Sequence, residues 1–421
     1  MQGRIGRLAF WLVVLGVLAA PAASAPTQAA QGPPVPSRDP FYRYSGARPL
    51  GQLAPGTVLK ERSVKVAFGP GNSTPLTAEQ LLYRTTGQLG QPTATVTTVL
   101  SPPSAGVLPR IVGYLSFYDG LGPRCDPSYT LAGGDAGDST YQQEADEEQL
   151  LISWYLSQGD IVTVPDFEGT GLDWMAGRES GYGTLDAVRA TESYLRVGSS
   201  TKVGLSGYSG GAVAADWASE LAPAYAPQVN LVGVAEGGVP ANYLDHFAYI
   251  NGTGEYSAAI PGELLGLTRA YHVDLGPYLS SFGRKVVEQE SDACMASEFG
   301  RYPGLTISQL MLPAYRDLGR VAPFSSMLSQ QTMGTAKTHP REPLLIGVGN
   351  VDGRGDGAMV AADDKALARH YCREGIAVDY QEYTGASHTE AGAFFEPQTG
   401  PFLQQRFADV PFVGNCGSLG S

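Results

Sequence analysis

The sequence predicts an α/β fold with a mainly parallel central sheet, helices on both faces and an inserted helical cap. Three observations predict it. β-rich runs alternate with helical patterns over most of the chain, the order a parallel sheet requires because each parallel connection needs a crossover. Between Pro240 and Pro343 the alternation stops and helical character continues with no clear strand. A glycine-flanked serine, Gly207-Tyr208-Ser209-Gly210-Gly211, stands where one strand pattern gives way to a helix.

At the N-terminus, Arg4 and Arg7 precede an apolar stretch from Leu8 to Ala20, and small residues follow through Ala25. This is the form of a secretory signal peptide. The other reading, a membrane anchor, fits less well, because the run is short against the ~20 residues a spanning helix needs. Residues 1–25 are therefore expected to leave on export, with 26–45 as a flexible leader. Thr93 to Leu100 and Arg110 to Phe117 read as strands, separated by Ser101-Pro102-Pro103-Ser104. A helix follows from Glu144 to Leu156, with Glu144, Asp146, Glu147 and Glu148 placed as a solvated helix start that complements the dipole. Asp160 to Val164 is a short strand, and Pro165 to Gly171 a turn-rich loop. Then come a helix (Thr184 to Val197), a strand (Lys202 to Leu205), a helix (Val213 to Leu221) and a strand (Asn230 to Ala235). Within the interrupting block, Gly262 to Tyr271 and Leu305 to Leu312 are helical. Strand Leu344 to Gly349, helix Ala361 to Arg373, strand Ala377 to Tyr383 and a last helical stretch around Phe402 to Phe407 complete the alternation. The expected division is a core of 46–240 and 341–421 around a cap of 241–340.

Composition excludes several classes. Hydrophobic residues make up 43% and charged ones 16%, the latter well below the roughly 25% of soluble domains. Gly 54 and Pro 30 in 421 residues stay under the ~25–30% that marks low complexity. With a net charge of −13, the surface repels phosphate backbones, so no nucleic-acid partner is expected. After residue 25 no apolar run is long enough for stable membrane insertion. Cys125, Cys294, Cys372 and Cys416 are an even set in an exported chain, so disulfides are expected, with three connectivities open.

The chemistry gathers around Ser209. A nucleophile at the tip of a strand-to-helix turn takes strained dihedrals, and glycines two positions either side prevent clashes. The next N–H, that of Gly210, opens a helix and can stabilise an oxyanion. Of the five histidines, His388 lies on the loop after the last strand, where a general base belongs. His246 and His272 fall in the cap, His339 before a strand and His370 in a helix, positions that suit packing or surface roles. The carboxylate should follow the penultimate strand. Asp352 is favoured as nearest the strand end; Asp356, in Gly353-Arg354-Gly355-Asp356, is the alternative. The tripeptide Arg354-Gly355-Asp356 is read as a chance turn rather than an adhesion signal.

Taken together, these residues resemble the secretory lipase family, or lipase A type, of the α/β-hydrolase superfamily. The resemblance runs from about residue 55 to Cys416. It rests on the serine motif, Val164-Pro165-Asp166-Phe167-Glu168-Gly169, Tyr118-Asp119 upstream of Cys125, and Tyr371-Cys372 before His388. It implies a secreted ester hydrolase acting on acylglycerols and other esters, with a helical cap over the site. It also implies a triad of Ser209, Asp352 and His388, an oxyanion hole from Asp119 and Gly210, and disulfides Cys125–Cys294 and Cys372–Cys416. One departure stands out. The family acid sits in a compact G-x-x-D-x-x-V-P stretch, whereas about four residues are inserted here, so Asp352 keeps the spacing to the strand and Asp356 that to Cys372. Asp119 also has a physical reading, ending a strand beside Gly120 where a backbone N–H can face the nucleophile as the second oxyanion donor; the alternative is a plain strand-end turn residue. No metal or organic cofactor is expected. The partners expected are an ester substrate, at a lipid interface or free, and no second subunit. The alternatives are an acyltransferase with the same triad and a non-enzymatic binding protein of this fold.

Overall fold

The computed structural model describes residues 33–66, 76–102, 109–134 and 139–420, apart from the side chains of 77 and 139–147. The expected signal peptide and residues 26–32 of the leader lie outside them. From residue 33 onward the leader is ordered, contrary to expectation. Pro36–Arg38 and Pro40–Tyr42 form 3-10 turns, and Phe41 and Tyr42 pack against Leu82, Ala94 and Val96. Burying two aromatic rings contributes on the order of 1.5–3 kcal/mol each, enough to hold a short segment on the sheet.

In chain order the core elements are β1 (Val58–Val66), β2 (Leu76–Thr86), β3 (Pro92–Leu100), β4 (Arg110–Leu115), α1 (Pro127–Thr130), α2 (Ser139–Ser157), β5 (Ile161–Pro165), α3 (Gly177–Leu195), β6 (Lys202–Tyr208), α4 (Gly210–Tyr225) and β7 (Asn230–Gly237). Five helices of the interrupting block come next: α5 (Tyr243–Ile250), α6 (Ala259–Ala270), α7 (Ser281–Glu290), α8 (Ile307–Leu310) and α9 (Phe324–Ser329). The core resumes with β8 (Leu344–Asn350), α10 (Ala361–Arg373), β9 (Val378–Thr384) and α11 (His388–Phe407).

The strands form one nine-stranded sheet in the order β1-β2-β3-β5-β4-β6-β7-β8-β9. From β5 to β9 every pairing is parallel; β1, β2 and β3 add an antiparallel edge. β1 escapes the sequence pattern because it carries charge: Lys60, Glu61, Arg62 and Lys65 lie along a partly exposed edge strand. Successive strand residues point to opposite faces. Ile111, Val203 and Leu344 face α3, α4 and α10, while Val112, Val162 and Leu345 face α2 and α11. The sheet is thus covered on both sides.

The acid run of α2 differs from expectation. The helix begins at Ser139, so these acids lie beyond its first turn, and Glu148 is half-buried and engaged: it accepts from Ser116 Oγ at 2.7 Å and the Phe117 N–H at 3.0 Å. It braces the end of β4. The side chains of Glu144, Asp146 and Glu147 are outside the described residues.

Within the interrupting block Leu264, Leu267, Leu310 and Met311 are buried and pack into the main core. Disulfides join Cys125 to Cys294 and Cys372 to Cys416, the pairing that the resemblance implied. The first ties the loop after β4 to the block between α7 and α8, where Gly120 also pairs with Cys294.

Candidate active site

Ser209 sits between β6 and α4 at φ 53° and ψ −121°, a strained conformation for a residue with a side chain. Its N–H donates to the Gly237 carbonyl at 2.8 Å, which locks the turn to the next strand. The flanking glycines are required by close approach. A Cβ at Gly207 would strike the Gly211 carbonyl, and one at Gly211 would strike the Leu115 carbonyl. The side chain of Ser209 is therefore held out beyond the sheet by a backbone that no bulkier sequence would allow.

His388 begins α11. Ser387 caps that helix in a capping box with Glu390, and the His388 N–H donates to the Asp356 carbonyl at 2.8 Å. The ring packs against Tyr208, 5.0 Å between centroids, and against Tyr256 of the interrupting block at 5.7 Å. Nε2 lies 2.9 Å from Ser209 Oγ and Nδ1 lies 2.8 Å from Asp356 Oδ2. The other Asp356 oxygen accepts the N–H groups of Ala358 at 2.9 Å and Met359 at 2.6 Å. Three donors converge on a carboxyl that is 1% exposed. Because an ionised carboxylate only accepts, Nδ1 carries the hydrogen and Nε2 presents its lone pair to the serine hydroxyl.

Asp352, the favoured acid, is not brought to His388. Its Oδ1 accepts the N–H groups of Arg354 and Gly355, both at 2.8 Å, and its Oδ2 accepts from Tyr249 Oη at 2.9 Å. Slight burial works against ionisation, but the Gly355 and Arg354 donors prevail and hold this carboxyl below its usual range. The physical reason is the inserted turn. Val351 N–H bonds back to the Gly355 carbonyl at 2.7 Å, so the chain loops out after β8 and returns to the sheet end only at Asp356. The spacing to Cys372 was the informative one. Asp356 is buried against His388, so Arg354-Gly355-Asp356 is not displayed as an adhesion tripeptide.

The two expected oxyanion residues stand together. Gly210 opens α4, so its N–H has no partner within the helix. Asp119 has φ 34°, its carbonyl accepts the Met295 N–H at 2.9 Å, and its side chain lies against Gly210, where a Cβ would collide with Oδ1. Oδ1 also accepts from Trp174 Nε1 at 2.9 Å. Burial, then the charge of Glu263, push the Asp119 carboxyl up to about 8 against the pull of Trp174. The bracing of this loop was not read from the sequence, although the motif that supplies it was. Glu168 accepts the Gly120 N–H at 3.1 Å and Asp166 accepts from Ser128 N at 2.9 Å. The Val164-to-Gly169 motif is thus a buttress for the Asp119 turn.

Ser209 and His388 open onto a cavity of about 460 Å³, within the range of small-molecule sites. Phe117, Trp174 and Val213 line it from the core, and Ile250, Tyr256 and Phe299 from the interrupting block. The apolar runs Leu264-Leu265-Gly266-Leu267 and Leu310-Met311-Leu312 do not line it.

Comparison with known proteins shows the family to which the chain belongs. The model of the secretory lipase family matches residues 137–415. A probable inactive lipase of Mycobacterium tuberculosis is 34% identical, covering 90% of this chain and 84% of its own. A secreted triacylglycerol lipase of Malassezia furfur is also 34% identical, over 91% of this chain and 77% of its own. Among solved structures, Candida antarctica lipase A in its closed state superposes with a TM-score of 0.82 at 29% identity, covering 91% of this chain and 89% of that one. The chain is an α/β-hydrolase and belongs to the secretory lipase family.

Proposed function

We propose that this protein is a secreted serine ester hydrolase that cleaves carboxylic esters, acylglycerols among them, with Ser209 as nucleophile, His388 as general base and Asp356 as the acid that orients it. The carrying observation is the continuous chain Ser209 Oγ to His388 Nε2 at 2.9 Å and His388 Nδ1 to Asp356 Oδ2 at 2.8 Å, ending on a strained serine. His388 takes the hydroxyl proton as Ser209 attacks the ester carbonyl, and the buried Asp356 carboxylate stabilises the imidazolium that forms. The Gly210 and Asp119 N–H groups receive the developing oxyanion. His388 then protonates the leaving alcohol, and water releases the acyl group by the same steps in reverse.

Residues 241–340 act as a cap over the acyl site, since Ile250, Tyr256 and Phe299 supply one of its walls. A signal peptide at 1–25 directs export, and the chain works as a monomer, on free esters or at a lipid interface. The relative described as a probable inactive lipase favours a second reading, a fold that has lost turnover. Against it, Ser209, His388 and Asp356 are all present here and mutually hydrogen-bonded.

The test is a series of p-nitrophenyl esters of increasing acyl length, with an emulsified triacylglycerol as the last member. Wild-type protein should hydrolyse members of the series and Ser209→Ala none of them. Hydrolysis retained by Ser209→Ala, or absent from the wild type throughout, would refute the assignment.

A further inference from the structure

The cavity wall beside the triad carries a second ionic arrangement that the proposed chemistry does not use. His246 of α5 and Glu263 of α6 are each 3% exposed. His246 Nε2 lies 3.0 Å from Glu263 Oε1 and 3.1 Å from Oε2, and Nδ1 lies 3.1 Å from the Ala358 carbonyl oxygen. A carbonyl oxygen can only accept, so Nδ1 carries a hydrogen. A carboxylate also only accepts, so Nε2 carries one too, and the ring is an imidazolium. Burial opposes that charge, but the attraction and hydrogen bond of Glu263 outweigh it, and the Ala358 carbonyl and Asp356 add to them, so the ring holds its proton above the usual histidine range. The titratable groups facing it are Glu263 from α6, Asp356 from the loop after β8 and Asp119 from the loop after β4, the last uncharged below about pH 8.

The Ala358 carbonyl shares a peptide group with the Met359 N–H, the donor that reaches Asp356 Oδ1 at 2.6 Å. One planar peptide therefore has the imidazolium on its oxygen and the Asp356 carboxylate on its hydrogen. Resting on the triad proposed above, we infer that His246, clamped by Glu263, is a positioning residue for Asp356, acting through the peptide between Ala358 and Met359. A cation on the carbonyl polarises the peptide and strengthens its N–H bond to the carboxylate, since hydrogen bonds in series reinforce one another. It also fixes the plane of that peptide, and with it the carboxylate that orients His388. The clamp comes from helices of the interrupting block, so the block shapes the triad as well as the cavity.

The experiment measures kcat and KM of the full chain on p-nitrophenyl butyrate for His246→Ala, His246→Asn, Asp356→Asn and the double variant His246→Ala/Asp356→Asn. His246→Ala should lower kcat on the order of tenfold or more, as small misplacements of reacting groups do, with KM unchanged. His246→Asn, whose amide can donate in place of Nδ1, should recover part of that loss. The double variant should be no slower than Asp356→Asn alone, because the effect passes through that carboxylate. An effect on KM alone, a loss that multiplies with that of Asp356→Asn, or no loss would overturn the inference. If His246→Ala does not fold, Glu263→Gln carries the test: it removes the counter-charge with little change of shape, and a wild-type kcat there overturns the inference equally. Failure of the underlying triad is distinguishable, since Asp356→Asn would then itself keep wild-type kcat.

Discussion

At Asp119 one side chain combines burial, a neighbouring negative charge and a position against the serine turn. Its carboxyl, raised to about 8 first by burial and then by Glu263, is neutral below that value. Above that value it ionises, and a negative charge beside the proposed oxyanion site opposes the charge that develops there. The sign follows directly: on the alkaline side, hydrolysis falls as pH rises through about 8. Asp119→Asn keeps an acceptor for Trp174 but cannot ionise, so its profile of kcat/KM against pH should lose that alkaline limb. An unchanged limb in Asp119→Asn would show that another group controls it. At this scale the sequence was legible for Ser209, His388, Asp119 and Gly210, each tied to a turn of definite geometry. Between Asp352 and Asp356 it was not, because an insertion preserves one spacing at the expense of the other. Only the backbone bond from Val351 to Gly355 tells which carboxyl returns to the sheet.

Elements were legible where burial imposes a pattern. The apolar strands β5 to β8, with their intervening helices, follow from runs such as Ile161-Val162-Thr163-Val164 and Leu344-Leu345-Ile346. β1 did not, since an exposed edge strand accepts Lys, Glu and Arg and so looks polar. The start of α11 was hidden for another reason: Ser387 caps it and His388 is its first residue, so the helix opens within the stretch that reads as a loop. His246 was read as a packing or surface residue. It is buried, but its partners Glu263 and the Ala358 carbonyl are brought together only by the tertiary fold, and no local spacing announces them.

Among the described residues, acidic groups such as Glu236, Glu290 and Asp166 are buried. Burial, the leading cause in each case, lifts Glu236 and Glu290 to about 8 and Asp166 to about 7. In an unfolded chain these carboxyls titrate near 4. At these sites the folded protein therefore holds protons that the unfolded chain has released, and their contribution to stability, fullest below about pH 4, is lost as pH rises through 7 to 8. Scanning calorimetry should give a Tm several degrees higher at about pH 5.5 than at about pH 8.5; a Tm equal or higher at the alkaline pH would contradict this burial. The central claim remains that Ser209, His388 and Asp356 form one reacting unit, with Ser209 and His388 lining the cavity. Its most direct test is kcat on p-nitrophenyl butyrate for Asp356→Asn and Asp352→Asn, measured side by side. Asp356→Asn should lose on the order of 10³–10⁴ in rate, as expected when the histidine loses its orienting carboxylate, while Asp352→Asn stays within a few-fold of wild type. The reverse order, with Asp352→Asn inactive and Asp356→Asn unimpaired, would contradict it.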